Sequence, residues 1–166
     1  MSVIVKSIQR KRVNVPLAMA GQSASFGLKK VRRSMIRKGM VMLGKSMDPP
    51  PQACRDFEAE VLVLYHSTTI APKYQAMVHC GPVRQTAKIV GLSKQILRTG
   101  DRALVHFQFI SLPEYLKPGT RLLFREGRTK GVGIVKRCLF SSETLPYDSP
   151  EAAAPSPKAA KKRLKA

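Results

Sequence analysis

The sequence has no long apolar run. Nothing in it approaches the roughly 20 apolar residues that a membrane-spanning helix needs, and its N-terminus lacks the uninterrupted apolar stretch of a signal peptide. Cysteine is scarce as well: Cys54, Cys80 and Cys138 are odd in number, far apart along the chain and without C-x-x-C spacing. That pattern excludes the usual zinc and redox spacings and reads as reduced, mostly buried thiols. No segment of ten or more residues sustains a 3.6-residue apolar stripe, so helices are limited to single turns. His66, His79 and His106 are dispersed with no ligand-spaced carboxylate or cysteine, and Asp101 and Glu114 are isolated. Neither a metal site nor a catalytic pair is expected from such placement, and no cofactor. Acidic residues are few: 30 Lys and Arg face 10 Asp and Glu, a formal net charge of +20. Residues 1–46 hold eleven of those cations and no acid at all. Such an imbalance attracts polyanions and opposes self-association, so nucleic acid is the expected partner; from the missing apolar run and signal peptide, no membrane is expected and the expected location is cytoplasmic, or nuclear by way of the basic tail. A basic, acid-free start also suits a mitochondrial transit peptide, but those are amphipathic helices and this one alternates like a strand.

What the sequence does contain is period-two alternation. Val13, Val15, Leu17 and Met19 alternate with Asn14, Pro16 and Ala18, and beyond Gly21 the residues Ala24, Phe26 and Leu28 alternate again, which predicts a hairpin. A polar connection over 29–38, with one helical turn at 34–38, leads to a short strand at 39–43. Met47-Asp48-Pro49-Pro50-Pro51 then interrupts the pattern, because consecutive prolines cannot donate to a ladder. Strands are predicted at 57–65, 75–80, 84–92, 102–110, 121–125 and 129–139, separated by turns such as Gly81-Pro82, Gly100-Asp101 and Lys117-Pro118-Gly119. The fold class is therefore all-β: a six-stranded antiparallel barrel over 53–140, a partial barrel over 1–46 and a Pro-rich linker at 47–52. A disordered Ala/Pro/Lys tail is expected over 141–166. Its basic end, Lys158 to Lys165, suits either a nuclear-localisation or RNA-contact patch or a solvated tail.

Several of these stretches carry a resemblance. Phe57-Glu58-Ala59-Glu60-Val61, Tyr74-Gln75 with Cys80, Gly100-Asp101, and Arg125-Glu126-Gly127-Arg128-Thr129 followed by Gly131-Val132-Gly133 resemble, in order and spacing, the third domain of elongation factors Tu and 1-alpha. The run Tyr74-Gln75-Ala76-Met77-Val78-His79-Cys80-Gly81 and the run Phe124 to Lys130 are similar to the GTP-binding protein 1 and 2 family. Upstream, Ser7-Ile8 with Arg10, Ala20-Gly21-Gln22-Ser23-Ala24 and Ile36-Arg37-Lys38-Gly39-Met40-Val41 resemble the second half of the family's second domain, with Gly39 opening its last strand. The resemblance implies a second barrel longer than the sequence present, so the chain is read as truncated. It also implies GTP and Mg for a full-length parent. In this chain no phosphate-binding G-x-x-x-x-G-K-[ST] loop, and so no GTP site, is expected.

The resemblance further implies that the third barrel touches the backbone of a tRNA stem and packs against the parent's GTPase domain. Carried across by position, it puts Gln75, Arg84, Thr86 and Gly127 at the RNA surface, although Arg84 departs from the elongation-factor pattern. Residues that suit phosphate contact by charge are Arg125 and Arg128 in the barrel and Arg10, Arg12, Arg32 and Arg33 in the N-terminal third. The expected partners are tRNA, ribosome or mRNA, together with that GTPase domain. Against this stands a plainer reading, in which Arg125, Glu126 and Arg128 form a solvated cross-strand charge pair and Gly127, Gly131 and Gly133 serve tight turns and close backbone approach.

Overall fold

The computed structural model describes residues 2–140 and divides into two units, Met1–Gln52 and Ala53–Ala166. The expected disordered tail and its basic end lie outside the described residues.

In the second unit every predicted strand forms: β4 (Asp56–Tyr65), β5 (Gln75–Cys80), β6 (Val83–Leu92), β7 (Arg102–Phe109), β8 (Arg121–Glu126) and β9 (Thr129–Leu139). They pair antiparallel in the order β4-β7-β6-β5-β8-β9, and β9 returns to pair with β4. The result is a closed six-stranded barrel with no free sheet edge. Alternation fills its interior. Phe57, Ala59, Val61 and Val63 face in from β4, Ala76, Val78 and Cys80 from β5, and Val105, Phe107 and Phe109 from β7. Four phenylalanines form the centre, with Phe57 4.9 Å from Phe109 and 5.3 Å from Phe107, and Phe107 6.0 Å from Phe124 between ring centroids. Such aromatic packing supplies much of the apolar burial that opposes chain entropy.

The seating of β9 depends on two glycines. A Cβ at Gly131 would lie 2.1 Å from Phe124, and one at Gly133 would lie 2.5 Å from the Glu60 backbone oxygen and 2.9 Å from Val61. At Gly131 the obstacle is an aromatic ring packed in the core; at Gly133 it is the neighbouring strand's backbone.

The first unit differs from the sequence expectation. Its longest strand, β1 (Ile4–Arg10), was not anticipated, and it lies between β2 (Val13–Asn14) and β3 (Ser25–Lys29). The strand expected over 13–19 stops after Asn14, apart from one further bond from Val15 N–H to the Ile8 carbonyl at 2.9 Å. Pro16 has no N–H with which to continue the ladder. The β1–β2 turn places Lys11 and Arg12 at φ 49° and 68°, the left-handed region that side chains normally avoid. The helical turn appears as a 3₁₀ turn at Arg33–Met35. The strand expected at 39–43 does not form; Met40, Val41 and Met42 are exposed, with no neighbouring strand to accept their hydrogen bonds. No described residue of this unit is buried, and apolar side chains such as Leu17 (66% exposed) and Phe26 (42%) face solvent.

Gly133→Ala should destabilise the barrel by about 2 kcal/mol or more, because the clash is with backbone that cannot rotate away. Gly127→Ala, at φ 53° with open space around it, should cost only about 1 kcal/mol. Urea unfolding of the two variants checks the order.

Candidate nucleic-acid interface

Strand register gathers one corner of the barrel. Gln75 lies opposite Lys88, Met77 lies between Thr86 and Arg125, and Arg125 lies opposite Lys130. Because Ala76, Val78, Ala87 and Phe124 face the core, the row Thr86–Met77–Arg125–Lys130 faces outward across β6, β5, β8 and β9, at about 4.8 Å per strand. The β8–β9 turn closes this corner: Gly127 sits at φ 53° with no atom near its missing Cβ, which leaves backbone approachable there. Arg128 follows, exposed.

Five of the sequence candidates, Gln75, Thr86, Arg125, Gly127 and Arg128, thus converge. Arg84 does not join them. It lies opposite His79, in the next outward row along with Leu123 and Val132. Three corner residues went unnoticed in the sequence: Lys88, Lys130 and Lys73, the last at φ 76° just before β5. For Lys88 and Lys130 the signal is strand register. The N-terminal candidates belong to the other unit. Arg10 and Arg12 flank Lys11 in the β1–β2 turn, Arg32 and Arg33 open the 3₁₀ turn, and all four are exposed.

The turn is braced from beneath. Tyr74 donates its hydroxyl to Glu126 at 3.1 Å, His66 Nδ1 lies 2.7 Å from the Thr129 hydroxyl, and the His66 and Tyr74 rings meet edge to face at 5.4 Å. Burial raises the Tyr74 phenol above its ordinary pKa, so it stays a donor. Glu126 is therefore held by Tyr74. Among the described residues neither Arg125 nor Arg128 has an ion-pair partner, which removes the cross-strand pair suggested by the plainer reading. The corner thus carries the cations Lys88, Arg125, Arg128 and Lys130 and the single carboxylate of Glu126, a composition suited to phosphates rather than to chemistry. No cluster of three or more metal-ligating side chains occurs among the described residues. Among the described residues no helix is long and apolar enough to cross a membrane.

A second outward feature is apolar. Leu62, Leu123, Val132 and Ile134 line a hollow of about 470 Å³ rimmed by His79, Glu60, Arg102 and Arg121. Glu60 bonds Lys136 at 2.8 Å, with Arg102 at 3.9 Å, and the Lys136 hydrogen bond holds its carboxyl below the ordinary pKa.

No protein-family model matches the chain. Among curated proteins it is 58% identical over 148 residues to GTP-binding protein 1 of Xenopus laevis and 48% identical over 132 residues to GTP-binding protein 2 of Homo sapiens. The chain belongs to the GTP-binding protein 1 and 2 family. Elongation factor 1-alpha of Cenarchaeum symbiosum is a more distant relative, 27% identical over 152 residues. These alignments cover 89%, 79% and 80% of the chain but only 22%, 22% and 34% of the respective relatives. The chain thus spans well under half the length of the curated proteins it matches.

In a GTP-binding family the phosphate loop matters, and here one sequence expectation needs correction. Gly39-Met40-Val41-Met42-Leu43-Gly44-Lys45-Ser46 does satisfy G-x-x-x-x-G-K-[ST] in its letters. The chemistry of that pattern requires a strand before it and a helix after it, so that backbone N–H groups and a helix N-terminus meet the phosphates. Here a 3₁₀ turn precedes, residues 40–44 are in neither strand nor helix, and Met47-Asp48-Pro49-Pro50-Pro51 follows. Three successive prolines do not continue a helix. GTP titrated against the full chain is expected to give no saturable binding, with Lys45→Ala indistinguishable from wild type; binding that the substitution abolished would show a working loop.

Proposed function

We propose that this chain is the barrel region of an elongation-factor-like translational GTPase and that its β5–β6–β8–β9 corner contacts RNA backbone in a tRNA, the ribosome or an mRNA. The observation that supports it is the row Thr86–Met77–Arg125–Lys130 ending at the open Gly127 turn, with Arg125 and Arg128 unpaired among the described residues. Cations, a hydroxyl, an amide and bare backbone suit phosphate oxygens without reading sequence. Arg10, Arg12, Arg32 and Arg33 add an electrostatic contribution of the same sign. On this reading GTP and Mg are held by a nucleotide domain of the full-length protein, this chain hydrolyses nothing alone, and its place is the cytoplasm.

The apolar hollow favours a second reading, in which the barrel serves to dock the GTPase domain and has no RNA affinity of its own. Leu62, Leu123, Val132 and Ile134 offer an apolar centre within a charged rim, the anatomy of a protein contact.

One titration separates the two. A fluorescent tRNA bound by the full chain should lose affinity steeply with salt. Arg125→Ala with Lys130→Ala should weaken binding about tenfold at low salt and lower the slope of log K against log salt by about 1.5. Leu123→Asp should leave RNA binding unchanged while abolishing capture of a separately produced GTPase domain of GTP-binding protein 1. RNA affinity indifferent to both salt and the Arg125/Lys130 substitutions would remove the first reading and leave the second.

A further inference from the structure

The three cysteines look unrelated in the sequence, yet the fold brings two of them together at one end of the barrel. Cys54 lies just ahead of β4 and forms an isolated bridge with Glu114, with both backbone bonds at 2.9 Å. Cys138 lies near the end of β9, opposite Phe57. The Cys54 thiol sits 3.7 Å from the Glu114 carbonyl and the Cys138 thiol 3.5 Å from that of Leu116. Both thiols therefore face the same short segment, on carbonyls two residues apart. They also lie within hydrogen-bonding reach of each other. Cys54 belongs to the buried core and Cys138, half-buried, packs against it.

We propose that Cys54 and Cys138 form a dithiol modification site, oxidised by a small-molecule disulfide of the glutathione type to an intramolecular Cys54–Cys138 bond. The two thiols are not equivalent. A hydrogen bond from Cys54 stabilises the Cys138 thiolate and lowers its pKa, whereas that same contact and burial hold Cys54 protonated. Cys138 is thus the attacking group and Cys54 the resolving one. Cys80 stays protonated, its thiol pushed up to about 11 by burial and by the charge of Cys138.

The exchange balances without a further reactant. The Cys138 thiolate attacks one sulfur of the oxidised glutathione; its S–S bond breaks, and the electron pair leaves on a glutathione thiolate, which takes up the proton lost from Cys138. Cys54 then gives up its proton and attacks the Cys138 sulfur of the mixed disulfide, releasing the second glutathione, which takes up that proton. Two protein thiols are oxidised, and one small disulfide is reduced to two thiols. A hollow of about 460 Å³, lined by Cys54 with Arg55, Asp56, His106, Pro113 and Leu139, the neighbour of Cys138, opens beside the pair. The new bond joins the entry into the barrel's first strand to its last strand, reinforcing closure at this end.

The test is thiol counting on the full chain. After equilibration with oxidised glutathione, labelling with N-ethylmaleimide in denaturant and mass analysis should find one labelled cysteine, Cys80, with the peptides carrying Cys54 and Cys138 linked, and dithiothreitol should restore labelling of all three. Cys80→Ser should leave the link unchanged. Cys54→Ser should instead retain one glutathione on Cys138. Three labelled thiols in the oxidised wild type, or a link involving Cys80, would overturn the proposal; the wild-type count decides this whether or not the variants fold.

Discussion

Everything in the barrel unit depends on the last strand returning to the first. β9 pairs along β4 from Asp56–Leu139 to Tyr65–Lys130, and this contact joins the ends of the unit's described chain and removes its two free edges. The pairing is close because Gly131 and Gly133 carry no side chain where Phe124 and the Glu60 backbone stand. The outward features follow from it. Lys130 joins Arg125 at the basic corner, Val132 and Ile134 floor the apolar hollow, and Cys138 reaches the segment that Cys54 faces. A β9 displaced by one residue would turn its alternate side chains to the opposite face and dismantle all three.

The N-terminal unit shows what happens without closure. Its three strands satisfy some backbone groups, but no described side chain in it is buried. A small sheet with one unpacked face is marginal in water, and eleven cations without an acid add mutual repulsion. Exposed Ile4, Leu17, Phe26 and Met42 are apolar groups of the kind a core would absorb. The same segment carries the Gly39–Ser46 string, whose letters fit a phosphate loop while its surroundings supply neither strand nor helix.

The six barrel strands were legible because alternation and turn residues are local signals: Gly81-Pro82, Gly100-Asp101 and Lys117-Pro118-Gly119 mark ends that the structure keeps. What was not legible is non-local. β5 pairs with β8, a strand distant in sequence, and only that pairing sets Met77 between Thr86 and Arg125. It also brings Lys88 of the β5–β6 hairpin and Lys130 of the β8–β9 hairpin to one corner, while Arg84, opposite His79, belongs to a different row. The proximity of Cys54 and Cys138 was hidden for the same reason. β1 escaped notice because a register shift between Val5 and Ser7 breaks its alternation, while the better-patterned 13–19 is cut short by Pro16.

Hydrogen exchange followed by NMR on the full chain tests closure most directly. Amides of Glu60 on β4 and Ile134 on β9, which lie opposite each other in that seam, should be among the slowest to exchange, opening only with global unfolding, while amides of β1 and β3 exchange at rates close to those of unstructured chain. Ile134 exchanging as fast as the β8–β9 turn, or β1 as protected as β4, would contradict a structure held together by the closure of β9 on β4.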